Sequence, residues 1–185
     1  MIRDHEAKSN VTKLDRFWGQ LSGLESATPY VLLDAAGFER GRAEFPDSIF
    51  AVTECLFTGD LEEELEDVAP YLALLASTSA DVKIAIDALL QRHLAILVIL
   101  REPSLPFTAL HRHFRKLNVV YGPSGSPMFF RYYDPRSLLE VLQVLDAAQR
   151  RAFFGPVESL VFVDAAQRLL VCISDDDGLV VSEMQ

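Results

Sequence analysis

The stretch "LAILVIL" at residues 94–100 is the longest uninterrupted apolar run in the chain. It is much shorter than the roughly 20 apolar residues that a membrane-spanning helix needs, so we interpret it as a buried β-strand. Helical patterns flank it at about 80–93 and at 104–117. A buried strand between two helices is typical of an α/β protein.

Further strands are predicted on both sides of this centre. "YVLLDA" at 30–35 and "YLALL" at 71–75 are short apolar runs, and "NVVY" and "PMFFRYY" flank a Gly/Pro/Ser turn, which is typical of a hairpin. After "FFGP", predicted to be a turn, come two more strand patterns, "SLVFV" and "RLLVCI", and an acidic tail whose stretch "SDDDG" at 174–178 we expect to be a solvated end.

The predicted fold class is therefore α/β, with a mixed, partly antiparallel sheet flanked by helices. The length of 185 residues favours one domain, spanning residues 1–185. We also consider a small helical lobe contributed by residues 60–93. In that segment Asp60 is placed to cap a short acidic helix, and Pro70 is placed to end it.

Composition argues against several classes of partner. The chain has 27 acidic and 17 basic residues and a net charge of −10, which disfavours nucleic acid and anionic lipid surfaces. The start lacks the apolar run of a secretory signal peptide. Cys55 and Cys172 are far apart and have no metal-ligand spacing. We therefore expect a cytoplasmic protein with reduced thiols, no membrane insertion, no metal and no cofactor.

The stretch "MFFRYYDPRSLLEVL" at 128–142 predicts a joint between a strand and a helix. Strand alternation is expected to continue to Tyr133. Asp134 is then placed as the N-cap of the helix, and Pro135 suits the first helical position. Arg136 is unusual, because the helix dipole disfavours a cation in the first turn. We expect Arg136 to have a carboxylate partner or to contact another molecule.

The helix at 104–117 is predicted to begin with Ser104 as N-cap and Pro106 in its first turn. Its polar face is basic and is either solvated or a contact for an acidic partner; it carries His111, Arg112, Arg115 and Lys116. His111 and His113 are two residues apart, so a helix turns them away from each other and a shared metal is not expected.

Asp34, at the end of the first strand, raises the question of catalysis. Together with Asp134 and either His111 or His113, it would make an acid/base site. No nucleophile elbow, phosphate-binding loop or zinc-binding HExxH motif accompanies these residues. We therefore predict that the protein is not an enzyme and assign Asp34 a structural role, alongside Asp134 and Pro135.

Five ordered stretches carry a resemblance to a known family. They are "YVLLDAA" at 30–36, "LFTGDLEEELEDVAPYLALL" at 56–75, "LHRHFRKLNVVYGPSG" at 110–125, "FRYYDPR" at 130–136 and "FFGPV" at 153–157. Together they resemble the effector chaperone, or adaptor, domain of bacterial type VI secretion systems, over roughly residues 30–157. The resemblance implies a non-enzymatic carrier that binds a cognate toxic effector in the cytoplasm and helps load it onto the VgrG spike.

Within this interpretation the arginines and lysine near the joint and on the basic helix are the expected partner contacts. They are Arg112, Arg115, Lys116, Arg131 and Arg136. Two alternatives stay open. An immunity protein would bind a folded toxin and block its active site, as small acidic proteins do electrostatically. A small hydrolase would instead show a pocket in which Asp34, Asp134 and the histidines converge.

Overall fold

A seven-stranded sheet forms the centre of the molecule. The computed structural model describes residues 14–19, 29–57, 63–121, 124–175 and 177–184. The strands of the sheet lie in the order β2-β3-β1-β4-β7-β8-β9, and β5 and β6 form a separate hairpin. Their bounds are β1 Tyr30–Asp34, β2 Phe50–Cys55, β3 Pro70–Leu75, β4 Ala95–Leu100, β5 Val119–Tyr121, β6 Pro127–Phe129, β7 Val157–Val163, β8 Leu169–Ser174 and β9 Leu179–Glu183.

Helices cover both faces of this sheet. They are α1 at residues 14–19, and α2 Glu63–Asp67, α3 Ala80–Gln91, α4 Phe107–Leu117, α5 Pro135–Val144 and α6 Ala147–Phe154. Three short 3-10 turns connect β1 to β2. Among the helices in the described ranges, none is both long enough and apolar enough to cross a membrane.

Strand β4 shows why the run at 94–100 is apolar throughout. Successive side chains of a strand point to opposite faces of the sheet. Ala95, Leu97 and Ile99 lie in one core with buried side chains of α1 and α3. The alternate residues Ile96 and Val98 lie in a second core, with buried side chains of α4, α5 and α6. Because both faces of β4 are buried, no position in the strand favours a polar residue.

The predicted α/β class, with helices flanking the sheet, is confirmed. Every pairing among the described strands is antiparallel, so the expected mixture with parallel pairs is not seen among them. The described part of 60–93 is not a separate helical lobe. Its strand β3 lies between β2 and β1, and α3 buries Val82, Ile86, Leu89 and Leu90 in the first core.

The start of α4 differs from the prediction. Pro106, not Ser104, occupies the N-cap position. The Ser104 hydroxyl instead donates to the Glu102 carboxylate at 2.9 Å. The predicted cap of α2, Asp60, lies outside the described residues. Helix α2 ends at Asp67, and Pro70 begins β3, which agrees with Pro70 lying beyond the end of the helix.

The predicted strand alternation through Tyr133 is wrong. Strand β6 ends at Phe129, and the Phe130 N–H donates to the Asn118 carbonyl at 2.9 Å. Tyr132 and Tyr133 are both buried, whereas an alternating strand places neighbours on opposite faces. The Tyr132 hydroxyl donates to the carbonyl of Phe114 in α4 at 2.9 Å. This packing against α4 replaces the strand.

A helix occupies the first half of the predicted "FFGP" turn, and its second half is a turn as expected. Asp146 caps α6 by accepting from the Gln149 N–H, and the Gln149 side chain accepts from the Asp146 N–H, which forms a capping box. Phe153 and Phe154 belong to this helix, and Gly155 and Pro156 form the turn that leads to β7. The Gly155 φ of 48° suits glycine. A Cβ there would lie 2.6 Å from the His113 ring.

The acidic tail is also more ordered than expected. Leu179–Glu183 forms β9, which pairs antiparallel with β8 at one edge of the sheet. The turn before it is closed by Asp175, whose Oδ1 accepts from the backbone N–H groups of Asp177 and Gly178. Asp175 and Asp177 are exposed, as expected of a solvated stretch, whereas β9, whose side chains are half-buried or exposed, is a strand that the sequence analysis did not predict.

Candidate functional site

Four side chains of alternating charge connect the end of β1 to the start of α5. We call Asp34, Arg131, Asp134 and Arg136 the charged corner. Arg131 Nη2 donates to Asp34 Oδ2 at 2.8 Å and lies 4.0 Å from Asp134 Oδ2. Asp34 is buried, with 2 % of its side chain exposed, whereas half of the Arg131 side chain is exposed. This ion pair links Asp34 and Arg131, which are 97 positions apart in the sequence.

Asp134 performs the predicted capping. Its Oδ1 accepts from the Arg136 backbone N–H at 3.1 Å, and Pro135 follows at the first helical position. The Arg136 guanidinium also grips the carboxylate with both branches, at 2.8 Å to Oδ1 and 2.9 Å to Oδ2. The expected carboxylate partner of Arg136 is therefore Asp134. The predicted structural roles of Asp134 and Pro135 agree with this geometry.

The two carboxylates of the charged corner have opposite pKa shifts. Burial raises the pKa of Asp34 and outweighs the opposing charge and hydrogen bond of Arg131. Partial burial also acts to raise the pKa of Asp134. The hydrogen bonds from the Arg136 side chain and backbone exceed that effect, so the pKa of Asp134 is lowered. The more deeply buried carboxylate is thus the one that holds its proton more readily.

The histidines do not join these carboxylates. His111 Nε2 lies 2.8 Å from the carbonyl oxygen of Cys55, and His113 Nε2 lies 2.8 Å from that of Phe153. Burial lowers the pKa of His113. The structure therefore brings Asp34 and Asp134 together as the acid/base hypothesis requires, but it directs both imidazoles to backbone groups. Within the described ranges, no three potential metal ligands cluster.

The polar side of α4 is an open cationic surface. We call His111, Arg112, Arg115 and Lys116 the basic face. Together with Thr108, these residues line a groove of about 420 Å³. Among the described residues, no carboxylate lies within ion-pair distance of its two arginines or its lysine. The charges of the basic face are therefore left to solvent or to a partner.

The predicted contact residues thus fall into two groups. Arg131 and Arg136 bind internal carboxylates, with roughly half of each side chain exposed. Arg112, Arg115 and Lys116 have no such partner in the described part of the chain. The second group is better placed to meet another molecule, because binding there breaks no internal ion pair.

Residues 29–152 match the family described as Domain of unknown function (DUF4123). The chain belongs to this family. The match covers about two thirds of the chain and contains every residue of the charged corner and of the basic face. It also nearly coincides with the region 30–157 that carries the resemblance. No curated protein and no solved structure matched the chain.

Sequence reasoning missed one feature of this DUF4123 domain. Hairpin β5–β6, which we call the apolar hairpin, exposes large apolar side chains: Val119 40 %, Val120 36 %, Tyr121 74 %, Met128 51 % and Phe129 80 %. The signal was present, because both strands are apolar at successive positions and only three residues long. Strands with apolar residues on both sides need cover on both sides. The hairpin stands apart from the main sheet.

Proposed function

We propose that the protein is an adaptor of a bacterial type VI secretion system. In this role it binds a cognate toxic effector in the cytoplasm and helps load it onto the VgrG spike, without itself catalysing a reaction. The resemblance carried by the five sequence stretches supports this proposal, and membership of the DUF4123 family is consistent with it. The single observation that carries it is the basic face.

The basic face favours a protein partner for an electrostatic reason. On a chain with a net charge of −10, a cluster of unpaired cations attracts acidic segments against the repulsion of the whole molecule. Arg112, Arg115 and Lys116 lie on one helix and line one groove. Binding an acidic segment there neutralises charges that the described residues leave without an ion pair.

Charge reversal on the basic face tests the proposal. The tagged protein is used to capture partners from lysate of its own host at about 0.15 M salt, and the retained polypeptides are identified by mass spectrometry. We expect the wild type to retain one large toxin-like polypeptide and a VgrG-type protein. The variant R115E/K116E is expected to lose them while keeping the wild-type melting temperature.

A control variant makes the same change in net charge elsewhere. K83E/R92E places its substitutions on α3 and at its C-cap, on the opposite side of the sheet, and is expected to retain both partners. Equal capture by R115E/K116E and the wild type contradicts the proposal. Recovery of a toxin without any spike protein favours the immunity alternative instead.

A further inference from the structure

The apolar hairpin lies next to the helix that carries the basic face. Helix α4 ends at Leu117, and β5 begins at Val119. The segment after β2 runs beside both, because the Cys55 carbonyl lies at His111 and the Phe57 ring lies 6.1 Å from the Phe129 ring. The basic face and the apolar hairpin are therefore neighbours, joined by one residue of the chain and flanked by the same segment.

The hairpin is fixed in place although the apolar side chains of its strands are exposed. A two-stranded hairpin of this length is not stable alone in water. Here Asn118, at its base, accepts from the Phe130 N–H and donates through Nδ2 to the Leu56 carbonyl. Pro70 lies opposite Leu56 in the sheet and has no N–H to offer that carbonyl. Asn118 supplies the missing donor and so ties the hairpin to the main sheet.

A fixed, exposed apolar cluster is typical of a binding surface. Met128 and Phe129 are more than half exposed, as is Tyr121. Burying large apolar side chains of this kind contributes substantially to association, since aromatic anchors carry much of the energy of protein interfaces. The neighbouring basic face indicates an acidic partner, because no carboxylate among the described residues lies within ion-pair distance of its arginines or its lysine.

We propose that this combined surface binds an amphipathic acidic segment, with its carboxylates on the basic face and its large apolar side chains on the apolar hairpin. That the segment belongs to the secreted effector rests on the proposed function. Added end to end, the last two to three turns of α4 and one strand of the hairpin measure roughly 20–25 Å. A helix of about 15 residues covers that length.

Peptide selection tests the chemistry of the partner directly. A phage-displayed library of random 16-residue peptides is selected on the immobilised full chain, and enriched peptides are synthesised with a fluorescent label. We expect the enriched sequences to combine Asp and Glu with Leu, Ile, Val or Phe. Anisotropy titrations should show binding about tenfold weaker to M128S/F129S and to R115Q/K116Q.

Matched controls lie on the other side of the sheet. Ile84→Ser removes an exposed apolar side chain from α3, where 69 % of Ile84 is exposed, and K83Q/R92Q removes two cations. Each is expected to change affinity less than about twofold. Salt separates the two halves of the site: binding to M128S/F129S should still weaken with added salt, and binding to R115Q/K116Q should become nearly insensitive to it.

Several results overturn the inference. Enrichment of no peptide, of basic peptides, or of acidic peptides that bind M128S/F129S as tightly as the wild type excludes a joint site. Self-association of the wild type that is lost in M128S/F129S, seen by sedimentation, shows that a second copy covers the hairpin instead. Melting temperatures of all variants confirm that they are folded. If peptides bind as expected but lysate capture fails, the result supports the peptide-binding surface and contradicts the proposed role in secretion.

Discussion

The charged corner and the basic face both present arginines, yet only one of them leaves its cations available. In the charged corner, Arg131 holds a buried carboxylate and Arg136 grips the carboxylate that caps its own helix. On the basic face, Arg112 and Arg115 have no ion-pair partner among the described residues. Sequence alone ranks all these residues as candidate contacts, whereas their partners assign one group to stability and the other to recognition.

The largest expected effect is the loss of Arg131. Arg131→Met should lower the free energy of unfolding by about 2 kcal/mol, because it leaves the buried Asp34 carboxylate without its cation. The full cost for a completely buried pair is greater, but Arg131 is half exposed and partly screened by solvent. Chemical denaturation measures the change. The matched variant Arg136→Met should cost less than about 1 kcal/mol, and equal losses would remove the distinction within the corner.

Removal of the helix cap has the next largest effect. Asp134→Ala should lower the free energy of unfolding by about 1 kcal/mol, because the first turn of α5 loses its side-chain acceptor. Asp134→Asn retains a capping oxygen and should preserve most of that stability. Thermal and chemical denaturation of the two variants give the comparison. An unchanged melting temperature in Asp134→Ala would rule out capping as the role of this carboxylate.

The two carboxylates should also respond to pH in opposite directions. The folded protein holds the pKa of Asp34 above its ordinary 3.8. At pH values between the ordinary and the raised pKa, the folded state therefore binds more protons than the unfolded state. The stability associated with Asp34 is present below its ordinary pKa and is lost as pH rises through the raised pKa. Asp34→Asn should flatten this decline, measured by urea denaturation between about pH 4 and pH 6.

The pH dependence of stability has the opposite sign for Asp134. Its folded pKa lies below 3.8, so its contribution is present above the ordinary pKa and is lost as pH falls through the lowered one. Asp134→Asn should therefore reduce the loss of stability in acid, below about pH 4. A shared direction of change in the two Asn variants would contradict the opposite environments of these carboxylates.

The basic face should contribute least to stability. R115Q/K116Q is expected to change the free energy of unfolding by less than about 0.5 kcal/mol, because neither cation has an ion-pair partner in the described structure. Chemical denaturation beside Arg131→Met tests the contrast on one scale. A loss comparable with that of Arg131→Met would place Arg115 and Lys116 in the architecture of the fold and weaken their assignment as contacts.

Short sequence patterns were sufficient to predict those elements whose formation depends on neighbouring residues. The apolar runs of β1, β3 and β4 and the Asp134-Pro135 cap follow from burial, hydrogen bonding and backbone geometry within a few residues. Helix α6 also had a local signal, since Asp146 and Gln149 have the spacing of a capping box. Gly155 and Pro156, which form the turn, lie immediately beyond this helix, so the turn signal adjoins the helix signal.

The remaining features depend on contacts across the fold. Nothing near Asp34 in sequence indicates that its cation comes from Arg131. The end of β6 at Phe129 is likewise set by Tyr132, whose hydroxyl donates to the Phe114 carbonyl of α4. The exposure of the apolar hairpin likewise depends on the whole fold, because the main sheet is complete without β5 and β6.

Strand β4 has a consequence for hydrogen exchange. It lies between β1 and β7, and its side chains enter both cores, so its amides should exchange only when the whole domain opens. The helix layers on the two sides of the sheet then share one opening event. A ligand bound to the α4 side lowers the population of that open state by mass action. Its binding should therefore slow deuterium uptake in β4, far from the residues it touches.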